Sequence, residues 1–334
     1  NDFFFVSSSM QAVIQNFEEK WRWLLSSVIA STVDCVVFQP FRVIGAEQMV
    51  GVSKQGMIGT AVRIYKRDGF LGFFKGCDAG FLLNLSELGF GVFRTHIAEK
   101  LNITDYTPYE SIAEISHTAL GRFFLFDCSM KAFETILTAP LHVAQLRLMV
   151  QPFRLEETRQ KDNVEHDDEE EEHYYRRKYR QGLLRTIQVI RGEEGSQALF
   201  AHLKLSLSAC IVASGLHLAL SRFCVAPSSS TVMAIHSFNT LTLHPLDLVA
   251  AKMMTNSHCV HPMMRPQIEF DGTLDCFKEV SQSHTNLFRS FFAGSIAQWI
   301  ASVGHVFLLP TLFYLTSSWI NSLPDSPYRH SNSN

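Results

Sequence analysis

Charged residues drop out of this chain in long runs, and those runs set the first expectation about its fold. Across residues 290–320 no Asp, Glu, Lys or Arg occurs, and about 20 apolar residues suffice to cross a hydrocarbon core. Residues 205–221 form a second such run. A third covers 223–246, where Pro227-Ser228-Ser229-Ser230 makes a loop and the helix is expected to begin near Ser230. Residues 23–38 hold one charge, Asp34, and residues 79–93 hold only Glu87. Residues 123–150 carry Asp127, Lys131 and Glu134 in their first half and Arg147 near their end. The pattern predicts six membrane helices. Several runs are short for a span, so core helices of an all-α soluble domain are the competing reading of hydropathy alone.

The runs also repeat. Pro40, Pro140 and Pro245 stand near the ends of the first, third and fifth helices, with spacings of 100 and 105 residues. Each is followed by a connecting stretch and a second landmark. In the first third this is Asp68-Gly69-Phe70-Leu71-Gly72-Phe73-Phe74-Lys75-Gly76, and in the second Glu194-Gly195-Ser196-Gln197-Ala198-Leu199-Phe200. In the last third Leu287-Phe288-Arg289 keeps the register, with Gln282-Ser283 where acid-Gly belongs. Each unit reads helix, proline, surface segment, turn, helix. Proline removes an N–H and kinks its helix, and neighbouring helices must satisfy the freed carbonyl in a membrane. The glycine after the acid supplies a positive φ at the end of the surface helix. The predicted fold class is an all-α membrane protein, six transmembrane helices in three pseudo-symmetric helix-hairpin repeats. Its expected divisions are an N-terminal extension (1–19), repeat 1 (20–106), repeat 2 (107–222), repeat 3 (223–322) and a tail (323–334). Thr107-Pro108, with Glu110 in the first turn, is a helix start signal for repeat 2.

This pattern resembles the mitochondrial carrier family over essentially residues 20–320. That family's odd helices carry Pro-x-acid-x-x-base, followed by acid-Gly and an aromatic-base-Gly ending. Asp68 to Gly76 matches the second part in full, and Pro245-Leu246-Asp247 matches the start of the first. Within the family, Pro140-x-His142-Val143-x-x-Leu146-Arg147-x-Met149-Val150-Gln151 is similar to the second repeat of the mitochondrial carrier homologues. These are outer-membrane relatives implicated in inserting tail-anchored helices and in apoptosis regulation. The resemblance implies a mitochondrial membrane, with the outer one favoured by the subgroup, and a lipid bilayer partner that includes tightly bound anionic lipid. The chain departs from the pattern at Ala201-His202, which replace base-Gly, and in its acidic insertion.

The resemblance also implies gates that this sequence lacks. The acid positions hold Arg42, His142 and Asp247, and the base positions hold Gly45, Gln145 and Ala250. On the even helices the equivalent pairs are His96/Glu99, Arg222/Val225 and Pro310/Phe313, none of them complete. The substrate-contact positions hold Leu83, Ala209 and Ala297, which offer no cation to an anionic substrate. Alternating access needs two closed states of similar energy, and neither ionic network is present to set that balance.

Asp127, Lys131 and Glu134 share one helical face by their spacing of four and three. Charge at bilayer depth costs a few kcal/mol per group and persists when paired or wetted. A self-satisfied ladder is one reading; a polar groove receiving part of another protein is the other. Asp34, Glu134 and Asn239 each lie six residues before a repeat proline and are expected to line one cavity at one depth. Glu87, His217 and His305 extend that set.

The remaining composition mainly excludes. A formal net charge of −3 gives no basic face for nucleic acid. The seven cysteines are scattered without a Cys-x-x-Cys pair and read as reduced thiols. His258-Cys259-Val260-His261, beside Pro262, reads as loop chemistry, so no metal and no cofactor are expected. No nucleophile–base set, phosphate loop or metal spacing supports an enzyme. The start, Asn1-Asp2-Phe3-Phe4-Phe5, lacks the basic region of a secretory signal. The insertion 155–180, acidic from Glu165 to Glu172 and then basic, reads as a solvated loop or as a docking segment for membrane-protein partners. The functional expectation is therefore a degenerate carrier acting as an insertase or scaffold. The alternatives are a carrier for a neutral or unusual solute and a structural subunit of a larger inner-membrane complex.

Overall fold

The computed structural model describes residues 2–51, 55–101, 103, 117–151, 182–223, 229–257, 270, 272–282, 287–304, 311, 315 and 318. Among these residues the secondary structure is helical, with no strand. Helix α1 (Asp2–Val50) contains Pro40, α4 (His117–Val150) contains Pro140, and α7 (Ser229–Thr255) contains Pro245. Each leads to a short surface helix: α2 (Met57–Asp68), α5 (Leu183–Glu193) and α8 (Thr273–Gln282). A tight turn follows in each repeat, at Phe70–Phe74, Ser196–Phe200 and α9 (Leu287–Phe291). The even helices come next, α3 (Cys77–Lys100), α6 (Leu203–Phe223) and a last helical segment over 295–304. The acidic insertion, Thr107-Pro108, the His258–His261 cluster and most of the 290–320 run lie outside the described residues.

The surface helices form because each is apolar on one stripe only. α2 buries Thr60, Ile64 and Arg67; α5 buries Leu183, Thr186 and Ile190; α8 buries Cys276 and Val280. Those spacings of three and four define a single inward face. In sequence order α1, α3, α4, α6 and α7 touch their neighbours, and α1, α4 and α7 also touch one another. The result is a basket closed at the ends of its odd helices. There Val43, Ala46, Met49, Leu146, Met149, Leu248 and Ala250 form the main core beyond the prolines.

Ion pairs fasten each surface helix to its odd helix. The residue seven beyond each proline is Glu47, Arg147 or Lys252, and these pair with Arg67, Glu194 and Glu279. The first pair has its charges reversed relative to the other two. Contacts between repeats complete the ring. Lys75 Nζ donates to the Gln151 carbonyl at 2.8 Å, and Arg147 Nε donates to the Met254 carbonyl at 3.0 Å. The Leu183 amide, at the start of α5, donates to the Asp78 carboxylate from α3 at 3.1 Å.

One expectation is met only in part and another needs correction. Only two described segments, Val28–Val50 and Ser196–Leu216, are long and apolar enough to cross a membrane by length and composition. Charges dilute α3 and α4, through Asp78, Glu87, Arg94, Asp127, Lys131 and Glu134, and polar residues dilute α7, through His236, Asn239, Thr240 and His244. The third repeat is also misplaced by four residues. Gly76 and Gly294 both carry positive φ, 67° and 82°, immediately before an even helix, so Phe292-Ala293-Gly294 is the counterpart of Phe74-Lys75-Gly76. Gly294 is required by a close crossing as well, since a Cβ there would stand 2.8 Å from the Gly45 carbonyl oxygen.

A central cavity lined by all three repeats

Counting from the prolines, three rings line one central cavity of about 780 Å³. Two residues on stand Arg42, His142 and Asp247; six on, Ala46, Leu146 and Ala251; nine on, Met49, Met149 and Met254. Counting from Gly76, His202 and Gly294 gives the matching rings on the even helices. Four on are Gly80, Ser206 and Gln298; seven on, Leu83, Ala209 and Ala301; eight on, Asn84, Cys210 and Ser302. Ala297, expected at the contact position, is instead fully buried in the main core. No cation occupies that ring in the corrected register either.

At the gate positions, Gln145 and Ala250 reach the cavity with Arg42, His142 and Asp247. Gly45 sits at the α1 crossing with Gly294 and Gln298. No ring of ion pairs joins these positions among the described residues. The alanine, leucine and methionine rings below them close the basket with apolar side chains, and Met49 and Met149 are buried. On the even helices His96 and Glu99 are exposed, while Pro310 and Phe313 lie outside the described residues.

Among the described residues the cavity has two cations, both tied to acids behind the wall. Arg42 pairs with buried Asp34 at 3.0 Å across the Pro40 kink, and Asn84 donates to the same carboxylate oxygen at 3.0 Å. Lys131 pairs with Asp127 at 2.8 Å. Asp127 also takes Arg94 from α3 at 2.6 Å and the Ser214 hydroxyl from α6 at 2.6 Å. Asp247 is exposed to the cavity and makes no hydrogen bond or ion pair among the described residues. The His236 ring meets the Ser302 hydroxyl at 2.8 Å, and the rings of His142 and His202 lie 6.5 Å apart.

Of the polar positions singled out in the sequence, Glu87 and Lys131 line the cavity, and Asp34 and Asp127 hold the residues that line it. Glu134 and Asn239, like Asp34, are not on the lining, so the three positions six before the prolines do not line one cavity. They stand eight residues before the cavity ring, and at about 100° per residue that turns a side chain roughly 80° away from it. The Asn239 side-chain oxygen is buried without a hydrogen-bond partner among the described residues. Arg94 and the methionine ring were missed. The methionines were visible as a ninth-position repeat after each proline, whereas nothing in the sequence aims Arg94 at Asp127.

Below the cavity floor, Lys75, Asp68, Arg67 and Glu47 form one buried cluster. Burial pushes the Asp68 carboxyl upward, but hydrogen bonds and charge from Arg67 and Lys75 outweigh it and hold the group below its ordinary value. Burial likewise drives the Lys75 ammonium downward, aided by the nearby Arg67 charge.

The mitochondrial carrier protein family model matches residues 18–94, from within α1 through most of α3. Over those residues, the first of the three repeats, the chain is similar to the mitochondrial carrier family. Members of that family are transporters rather than enzymes and reside in a mitochondrial membrane, usually the inner one. The match resolves no subgroup, so the expectation of the outer membrane gains nothing from it. No curated protein sequence matches the chain. In carrier terms, the cavity rings occupy the positions where substrate contacts and gates are expected, with an altered set of side chains.

Proposed function

We propose that this chain is a mitochondrial carrier that moves a small neutral or cationic polar solute through its central cavity, using six membrane helices and an apolar closure. One observation carries the reading: the cavity's two cations among the described residues, Arg42 and Lys131, are held by Asp34 and Asp127, while Asp247 faces the space with a carboxylate to spare. An anionic solute would have to compete with those acids for each cation. A neutral or cationic solute meets Asn84, Gln145, Gln298, Ser206 and Ser302 without that competition. A ligand that binds only the folded state raises its stability by about 2.7 kcal/mol at a hundred times its dissociation constant. A thermal-unfolding panel of the purified carrier should therefore find stabilisation among amines, amino acids or polyols, and not among di- and tricarboxylates or nucleotides. Stabilisation by anions alone would overturn the substrate class.

A second reading, insertion or scaffolding of other membrane proteins, draws on a different observation. The Arg94 and Lys131 side chains remain 39% and 31% exposed beside buried Asp127, a polar patch that could receive polar parts of a foreign helix. It is tested by reconstituted insertion of a tail-anchored substrate with Asp127, Lys131 and Glu134 all replaced by Leu. Unchanged insertion removes this reading.

A further inference from the structure

Cys35 and Cys77, scattered in sequence by 42 residues, meet in the fold. Their sulfur atoms are 3.7 Å apart, and the Cys35 thiol donates to the Cys77 carbonyl at 3.3 Å. Cys35 is buried on α1, five residues before the Pro40 kink, and Cys77 is the half-buried first residue of α3. A disulfide needs its sulfurs at about 2.05 Å, so closure asks for a side-chain rotation with a small approach of the two helices. The surroundings hold the pair together. A Cβ on Gly80, one turn along α3, would stand 3.0 Å from the Cys35 sulfur, and Gln39 of α1 donates to the Lys75 carbonyl just before α3.

We propose that Cys35 and Cys77 are a reversible dithiol–disulfide pair that ties α1 to α3 beside the cavity when the protein meets hydrogen peroxide. Cys77 is the more accessible sulfur and lies in a first helical turn, where free amide N–H groups favour an anionic sulfur. Its thiolate attacks the peroxide oxygen, the O–O bond breaks, and the leaving hydroxide takes up the thiol proton as water. The Cys35 sulfur then attacks the sulfenic sulfur of Cys77, forming the S–S bond and releasing a second water. The two sulfurs lose two electrons together and the peroxide gains them. The bond fixes two walls of the first repeat, next to Asp34, whose carboxylate holds Arg42 and Asn84 on the lining. The described cysteines 128, 210 and 276 make no such sulfur–sulfur approach.

The test treats the purified full chain in detergent with hydrogen peroxide, alkylates the remaining thiols, and maps unreduced peptides by mass spectrometry. The expected product is a Cys35–Cys77 linked peptide that lacks two hydrogens, disappears with dithiothreitol, and is absent from C35S and C77S. The oxidised wild type should also unfold at a higher temperature than its reduced form. Both thiols remaining alkylatable, Cys77 passing to a sulfinic acid unlinked, or Cys77 pairing with another cysteine would each overturn the proposal. So would a linked protein whose unfolding temperature does not rise. The wild-type peptide map needs no variant to fold, so it decides the linkage by itself.

Discussion

Lys75 is the residue on which most of the first repeat converges. Its ammonium lies beside Asp68 and Glu47 and donates to the Gln151 carbonyl of the second repeat, with 1% of its side chain exposed. Removing one member of a buried ion pair leaves its partner charged and unpaired, at a cost of about 3–5 kcal/mol. Lys75→Met should therefore lower the unfolding free energy by that order, read by denaturation in detergent. Asp68 supplies the pH dependence. Its folded-state pKa lies below the ordinary 3.8, so its stabilisation is fully present above that value and drains as pH falls through the lower folded one. Asp68→Asn should be less stable than wild type at neutral pH, with the gap narrowing as pH falls below the ordinary value. A gap that widens in acid would contradict this. The Asp68–Gly76 motif was legible in the sequence because its charges, glycines and aromatics are contiguous. The reversed pair Glu47–Arg67 was not, since the two lie 20 residues apart and depend on how α2 folds back on α1.

At the scale of elements, the ladder on α4 is a junction of three helices. Asp127 takes Lys131 from its own helix, Arg94 from α3 and Ser214 from α6. Spacing alone revealed the Asp127–Lys131 pair, because residues four apart on a helix are neighbours. The interhelical partners could not be read from one helix. Asp127→Leu leaves two cations without their acid and should destabilise the carrier more than Arg94→Leu, whose side chain is half-exposed. A double-mutant cycle should show a coupling between the two on the order of 1 kcal/mol. Additive losses would mean the Arg94 contact contributes nothing. The third repeat shows how an element is misread when its punctuation is lost. Without acid-Gly, Leu287-Phe288-Arg289 was aligned by its aromatics, whereas Gly294, with φ 82° and the Gly45 backbone against it, marks the true start of the last helix.

At the scale of the molecule, three repeats converge on one cavity with an unconventional floor. Sequence made the threefold plan readable through the prolines, and the same count gives every ring on the odd helices. It could not reveal how the closed end stays shut, because the lost gate pairs suggest only an absence. The structure supplies an apolar stack of Ala46, Leu146 and Ala251 over Met49, Met149 and Met254. Burying a methionine is worth about 1.5–3 kcal/mol, so the two buried ones, Met49 and Met149, help replace an ionic gate without discriminating by charge. The most direct measurement of the central claim is solute uptake by liposomes containing the full chain, set beside Ala209→Trp and Ala301→Trp, which fill the cavity ring. The account predicts that a neutral or cationic solute accumulates with wild type and that either tryptophan abolishes its uptake while the protein stays folded. Uptake no greater than in protein-free liposomes for every solute, or uptake indifferent to both tryptophans, would contradict it.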